Sequence, residues 1–324
     1  IQQAEAHISL EEAMLHGSIL ITGGAGTLGR QIIKRATEEK WDCNITIFST
    51  DAVKHAYVRA LWPHINCIVG DVRDPVTVYN AMAGKDIVIH AAAVKHIPES
   101  EKNSVDTFQI NVEGSINIAQ AALQHNTPHV IAISTDKVCH AANAYGATKY
   151  LMEKVWQEYS RLNLPTRFHL VRYGNVLEST ASVIEMWKRA IENGQAIRIT
   201  DPAMTRFWIS PNQAVDLILD AIKLESGMIL IPKMKSLSIQ KLAVYTVGTD
   251  EFMRAQATPI RPGEKQHETL LTTEECNYAV ESDRYFFLHP TTTPMVDQPI
   301  SAPYTSANSP ELTEDELMEL LQND

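Results

Sequence analysis

Through the first half of the chain, short β-branched, aliphatic runs alternate with longer segments whose apolar residues recur every three or four positions. Ser18–Thr22 (SILIT), Ile45–Ser49 (ITIFS), Ile65–Gly70 (INCIVG), Ile87–Ala91 (IVIHA), His129–Ser134 (HVIAIS) and Phe168–Arg172 (FHLVR) read as strands. Segments between them, such as Gly29–Glu39 and Val105–Gln124, are long enough for crossover helices. Strands that alternate with helices predict an α/β fold built on a doubly wound, mostly parallel sheet. Beyond about residue 175 the pattern turns irregular, with Gly and Pro breaks in ENGQ, DPAM, IRPGEK and HPTTTP. The expected division is a sheet domain over residues 1–175, with 1–17 as an N-terminal extension. Residues 176–324 then form a smaller region from which some segments return to the sheet. The end, SPELTEDELMELLQND, predicts an amphipathic helix with Leu312, Leu317, Leu320 and Leu321 on one side.

Composition narrows the function. A formal charge of −11, from 28 basic and 39 acidic residues, argues against a general nucleic-acid binder, which needs a basic face. No apolar run is long enough for a membrane span, and the first residues lack the basic-then-apolar order of a secretory signal. The four cysteines, Cys43, Cys67, Cys139 and Cys276, form no CxxC and fit a reducing compartment. The expectation is a cytoplasmic protein without nucleic-acid or membrane partners. Twelve histidines are scattered, and His267-Glu268 lacks the second His of a zinc-protease helix, so no metal site is predicted.

Directly after the first strand comes Thr22-Gly23-Gly24-Ala25-Gly26-Thr27-Leu28-Gly29, which opens a helix. Glycines at 23, 26 and 29 let a backbone turn approach a pyrophosphate whose charge the helix N-terminus attracts. The sheet is therefore expected to be of Rossmann type, with Thr27 and Leu28 at the phosphates. Asp71, beside Val72 at the end of the third strand, is placed to reach an adenine amino group. At the second strand's end, Ser49, Thr50 and Lys54 fit a 2′-phosphate, whereas Asp51 fits a free ribose. These residues leave NADP and NAD both open.

The fifth strand runs into Ser134-Thr135-Asp136-Lys137, followed by Tyr145-Gly146-Ala147-Thr148-Lys149. Tyr-x-x-x-Lys sets both side chains on one helix face. A lysine ammonium and an oxidised nicotinamide, both positive, favour a phenolate that can serve as a base.

With these motifs in view, the chain resembles the extended short-chain dehydrogenase/reductase superfamily. The ordered set TGGAGTLG, GDVRD, HAAAVKHIP, ISTDK, YGATK, VRYGNV, ITDPAMTRFWIS and IRPGEKQHE is similar to UDP-N-acetylglucosamine 4,6-dehydratases. Within these it looks most like the soluble, C5-inverting enzymes that begin pseudaminic acid synthesis. The resemblance implies transient oxidation at C4 of a UDP-sugar, loss of water across C5 and C6, and return of the hydride to C6. It implies a tightly bound, recycled NADP, with NAD as the alternative. Tyr145 would take the 4-OH proton, Lys149 would hold the cofactor ribose and lower the Tyr145 pKa, and Thr135 would bond near the 4-oxygen. Asp136 would be the acid and Lys137 the base, its pKa lowered by burial beside the positive ring. Ala91, Ala92, Ala93 and Asn111 fall to the cofactor side, Asn111 also organising the backbone. Lys95 and His96 fall to the sugar, and Asn175, Arg206, Arg261 and Glu264 to the nucleotide diphosphate and uracil. A homo-oligomer, dimer or higher, is implied as well.

The chain departs from the resemblance at Leu177-Glu178-Ser179-Thr180-Ala181-Ser182, where the family often carries Gly-Ser-Arg-Gly-Ser; the added carboxylate admits a different sugar. Ser49-Thr50-Asp51 lacks the family's Arg, and Cys139-His140 replaces Ala-Asn beside the acid–base pair. Two competing functions are a UDP-sugar 4-epimerase, which needs Tyr145 and Lys149 but no acid–base pair for water loss, and a non-catalytic binder of the same ligands.

Overall fold

The computed structural model describes residues 16–162, 164–177, 179, 182–291, 293 and 295–322. The expected N-terminal extension lies mostly outside the described residues, as do Glu178, Thr180 and Ala181 of the departing loop. Strands β1 (Ser18–Thr22), β2 (Asn44–Ser49), β3 (Asn66–Val69), β4 (Ile87–His90), β5 (His129–Thr135) and β6 (Arg167–Tyr173) pair in parallel in the order β3-β2-β1-β4-β5-β6. Each differs from its expected bounds by no more than a residue or so at an end. Ile229–Pro232 extends the sheet in parallel beyond β6, and Tyr285–Leu288 and Ala279–Glu281 close it antiparallel, giving nine strands. The strand order reverses between β1 and β4, and a crevice opens there at the carboxyl ends of the strands.

Burial follows from the sequence pattern. The central runs Ile19–Ile21, Ile87–Ile89 and Val130–Ala132 are buried on both faces because helices cover both sides of a parallel sheet. A second hydrophobic cluster, around Leu177, Ile184, Trp187, Trp208, Leu237 and Leu242, sits among the elements beyond residue 175. The C-terminal helix, Glu314–Gln322, adds Leu317, Leu320 and Leu321 to that cluster, and Leu312 joins it from the turn just before the helix.

One expected helix is interrupted. In place of a continuous Val105–Gln124 there is a short helix Ser104–Phe108, a π-helical turn Gln109–Glu113 and a helix Gly114–His125. The π turn sets the buried Asn111 side chain against the loop after β4, where it accepts from Val94 N (2.8 Å) and donates to Val94 O (3.0 Å). The same amide donates to Thr148 Oγ1 (3.0 Å) on the long helix Ala144–Ser160. Asn143 caps that helix by accepting from Gly146 N (2.8 Å), an interaction worth about 1 kcal/mol.

Candidate active site

A cleft of about 780 Å³ runs across the carboxyl ends of the strands. Gly23 has a left-handed φ of 66°, and a Cβ there would come within 2.9 Å of the Ala92 backbone. The helix Thr27–Glu38 begins beside it with Gly26 as N-cap and no side-chain cap hydrogen bond. Close backbone approach and a helix N-terminus at the cleft fit the pyrophosphate of a dinucleotide. Gly29 does not line the cleft. A Cβ on it would stand 2.2 Å from Gly24 O, so its glycine serves the packing of helix on turn.

Thr27, Leu28, Ser49, Thr50, Lys54, Asp71, Val72, Ala91, Ala92, Ala93, Lys95, His96, Thr135, Lys137, Tyr145, Lys149 and Asn175 all line the cleft, together with Gly23 and Gly26. At the end of β2, Asp51 accepts from Lys54 N (2.9 Å) as a helix cap and pairs with Lys54 Nζ (2.8 Å), so both carboxylate oxygens are engaged. Ser49 Oγ and His55 Nε2 are hydrogen-bonded at 2.7 Å. The expected free carboxylate at Asp71 is also engaged: Arg73 grips it through Nε (3.0 Å) and Nη2 (2.5 Å) and reaches on to Asp106 (2.5 Å). A bidentate guanidinium leaves that carboxylate little freedom to reach a base edge. Lys95 stands at the rim, where partial removal from water and then the Lys54 cation lower its ammonium pKa.

At the chemical end, the side chain of Thr135, at the close of β5, accepts from Lys137 N (3.4 Å) across a one-turn 3-10 helix, Asp136–Val138. Asp136 is fully buried and lies just behind the cleft wall. Its Oδ1 accepts from Lys137 Nζ (2.8 Å) and from Thr135 Oγ1 (3.0 Å), and its Oδ2 has no hydrogen-bond partner among the described residues. Lys137 Nζ also donates to Asn175 Oδ1 (2.9 Å). Burial disfavours its charged form, but the Asp136 and Glu268 carboxylates outweigh that, so the ammonium pKa lies above its ordinary value. The expected lowering at Lys137 is therefore not produced by the protein's own groups, because two carboxylates face the amine.

Tyr145 shows a related correction. Burial raises its phenol pKa, and Lys137 and the Thr135 hydroxyl offset this only in part. The cation facing it within the protein is Lys137. Lys149 instead donates to Ile133 O (2.8 Å), and burial brings its ammonium down to about 8. Asn111 does not line the cleft and acts through the Val94 and Thr148 contacts.

Three of the expected nucleotide ligands stand away from the cleft. Arg206 is buried and donates to Thr205 O (2.8 Å) and Gln266 O (3.3 Å). Arg261 and Glu264 occupy an outer loop in which Glu264 accepts from Arg261 N (3.2 Å). Main-chain carbonyls take up the Arg206 guanidinium, and the Glu264 carboxylate accepts within its own turn. Ser179 and Ser182 of the departing segment do line the cleft.

Residues absent from the sequence-based set also shape the site. Tyr173, Trp208 and Phe48 line it. Glu268, buried behind Lys137, lies 3.8 Å from its Nζ. Cys139 proves to belong to a deep ionic cluster. Arg172 joins Glu153 (2.7 Å) and Glu275 (2.8 Å), donates to Leu270 O (3.0 Å), and contacts Cys139 Sγ (3.3 Å). Ser134 Oγ donates to Glu153 Oε1 (2.5 Å) from the strand that carries Thr135. The partners of these charges come from distant segments, so local sequence carried no signal for them. Among the described residues no group of three or more His, Cys, Asp or Glu could hold a metal ion, and no helix is long and apolar enough to cross a membrane.

Residues 19–290 match the family described as polysaccharide biosynthesis protein. A UDP-N-acetylglucosamine 4,6-dehydratase (inverting) of Campylobacter jejuni is 36% identical over 288 residues, covering 87% of this chain and 85% of the relative. A UDP-glucose 4-epimerase of Rickettsia bellii is 33% identical over 330 residues, covering 94% and 95% respectively. Among solved structures, Pen from Bacillus thuringiensis is similar with a TM-score of 0.88 at 28% identity, covering 96% of this chain and 98% of that one. With a family match across the sheet and the cleft, and relatives this similar over most of their length, the chain belongs to the polysaccharide biosynthesis protein family.

Proposed function

We propose that the protein is a UDP-N-acetylglucosamine 4,6-dehydratase of the C5-inverting type, a hydro-lyase working with bound NADP. The observation that carries this reading is the Asp136–Lys137 pair in contact at 2.8 Å beside Tyr145. A 4-epimerase needs one base for the 4-OH, whereas loss of water needs an acid and a second base as well. The Gly23–Leu28 turn and Lys149 would hold the dinucleotide, which would supply hydride acceptance and return.

The chain's own residues do the proton work. Tyr145 takes the 4-OH proton, and Thr135 holds the 4-oxygen. Lys137 removes H5, made acidic by the 4-ketone, while Asp136 protonates the 6-hydroxyl so that it leaves as water. Acid and base come from one proton: shifted from the Lys137 ammonium to Asp136 across their hydrogen bond, it makes a neutral acid and a neutral base together. The engaged Asp51 carboxylate and the Lys54 cation favour NADP, because a 2′-phosphate would find an ammonium there rather than a free carboxylate. Lys95, His96, Asn175, Ser179 and Ser182 would face the UDP-sugar. The exposed Val105, Phe108, Tyr150 and Leu151 fit a pairing face for a second copy of the chain.

A proton NMR time course with UDP-N-acetylglucosamine in D₂O tests the reading. The expected result is a new C6 methyl signal with deuterium at C5, in couplings that report inversion. The relative named as an epimerase favours a second reading, which predicts an intact C6 hydroxymethyl group and inversion at C4 alone. That outcome would replace the dehydratase assignment.

A further inference from the structure

Lys137 is held by more than its neighbour in sequence. Glu268 comes in from the segment between the Arg261–Lys265 loop and the strand Thr269–Leu271, and is buried to 3% exposure. Its Oε1 lies 3.8 Å from Lys137 Nζ, and its Oε2 lies 3.4 Å from Lys265 Nζ with no hydrogen-bond partner among the described residues. Lys265 is itself fixed, because its Nζ donates to Cys139 O (2.6 Å), just past the acid–base pair. A buried carboxylate without a full set of hydrogen bonds is costly, and its retention calls for an explanation. Packing alone does not require a charge at this position.

We propose that Glu268 is the positioning residue for Lys137, orienting its amine and stabilising the ammonium it becomes on taking H5. The inference rests on the dehydratase reading for its role in turnover, although the pairing itself does not. In the elimination, the C5–H electron pair forms the C5–C6 double bond, the proton goes to Lys137 Nζ, and the 6-hydroxyl departs as water with the Asp136 proton. The pair thus changes from neutral acid and neutral amine to carboxylate and ammonium. A base oriented by a third group that steadies its charged form is the logic of a catalytic triad, here with lysine in the central place.

The groups facing Lys137 are Asp136 on its own turn, Glu268, Arg206 on the strand Thr205–Ile209, and Tyr145 on the helix Ala144–Ser160. Removing the charge at Glu268 takes away one of two carboxylates, so the ammonium should release its proton at lower pH. Removing Lys265 takes away the cation that competes for Glu268, so the ammonium should hold its proton to higher pH. A merely structural role predicts no such opposite pair of shifts.

The test uses the full chain with ¹³C at the lysine ε-carbon, titrating the Lys137 signal in wild type, Glu268→Gln and Lys265→Met. The expected midpoint moves down by about 1 pH unit in Glu268→Gln and up by a smaller amount in Lys265→Met. In parallel, loss of the C5 proton of the 4-keto-6-deoxy product in D₂O should slow about tenfold in Glu268→Gln and recover in Glu268→Asp. If Glu268→Gln does not fold, the Lys265→Met titration decides the matter alone. Midpoints unmoved in the folded variants would overturn the proposal. Wild type that forms no such product would overturn the dehydratase reading while the titration still reports on the pairing.

Discussion

Two buried ionic clusters stand side by side behind the cleft, and they are built in opposite ways. In the first, Arg172 donates to Glu153, Glu275 and Leu270 O, and Glu275 also accepts from Thr272 N (3.0 Å). In the second, Asp136 Oδ2 and Glu268 Oε2 have no hydrogen-bond partner among the described residues, although Lys137 and Lys265 stand near them. A saturated cluster fixes structure, because no member gains by moving. An unsaturated one keeps a proton exchangeable between neighbours, at a cost in stability. On the proposed mechanism, the reacting groups are those whose polar pairing is left incomplete.

The largest expected effect breaks the comparison from the reactive side. Asp136→Asn should lower turnover about 10⁴-fold, roughly 5 kcal/mol in the barrier, yet leave unfolding stability within about 1 kcal/mol. Paired NMR turnover and urea unfolding would show this, and a large stability loss would place Asp136 with the structural cluster. From the other side, Arg172→Met leaves Glu153 and Glu275 buried without their cation and should cost about 3–5 kcal/mol in urea unfolding. A loss under 1 kcal/mol would mean that the saturated cluster carries little.

A smaller effect sharpens the contrast through pH. Burial pushes the Glu275 carboxyl up, but Arg172 and the Thr272 bonds bring it from 4.5 down to about 2. A carboxyl lowered in the fold gives stability that is complete above the unfolded value and lost as pH falls from about 4.5 to about 2. The whole contribution is about 3 kcal/mol, and Glu275→Gln should flatten the stability curve across that window. A second pH-dependent effect belongs to a neutral group in the sheet. Burial and then the Lys149 charge lower His90 from 6.5 to about 3, so the unfolded chain takes up a proton below pH 6.5 that the fold refuses. Stability falls as pH drops through that window, by about 2 kcal/mol at pH 5, and His90→Gln should remove that slope.

The fold was legible because a parallel sheet writes itself as short apolar runs separated by helices, and all six expected strands occur. The turn at Gly23–Gly29 and the Tyr145/Lys149 spacing were legible for the same reason: each is local, and its chemistry demands particular residue types at fixed intervals. Glu268 and Arg172 were not, since a charge gives no sign in sequence of a partner brought from another element. Arg206 marks the limit of residue type as a guide, since its guanidinium bonds main-chain carbonyls in the fold. Val105–Gln124 was expected as one helix because side-chain periodicity does not register a single extra residue in a turn.

That extra residue has a consequence for how relatives are compared. A π turn carries one residue more than the α turn it replaces, so the segments before and after Gln109–Glu113 are out of phase by a single position. Against a relative whose helix is α throughout, a structural alignment opens a one-residue gap here. Deleting one residue from the turn would close that gap while swinging Asn111 around the helix axis, away from Val94 and Thr148, and the loop after β4 would lose its anchor.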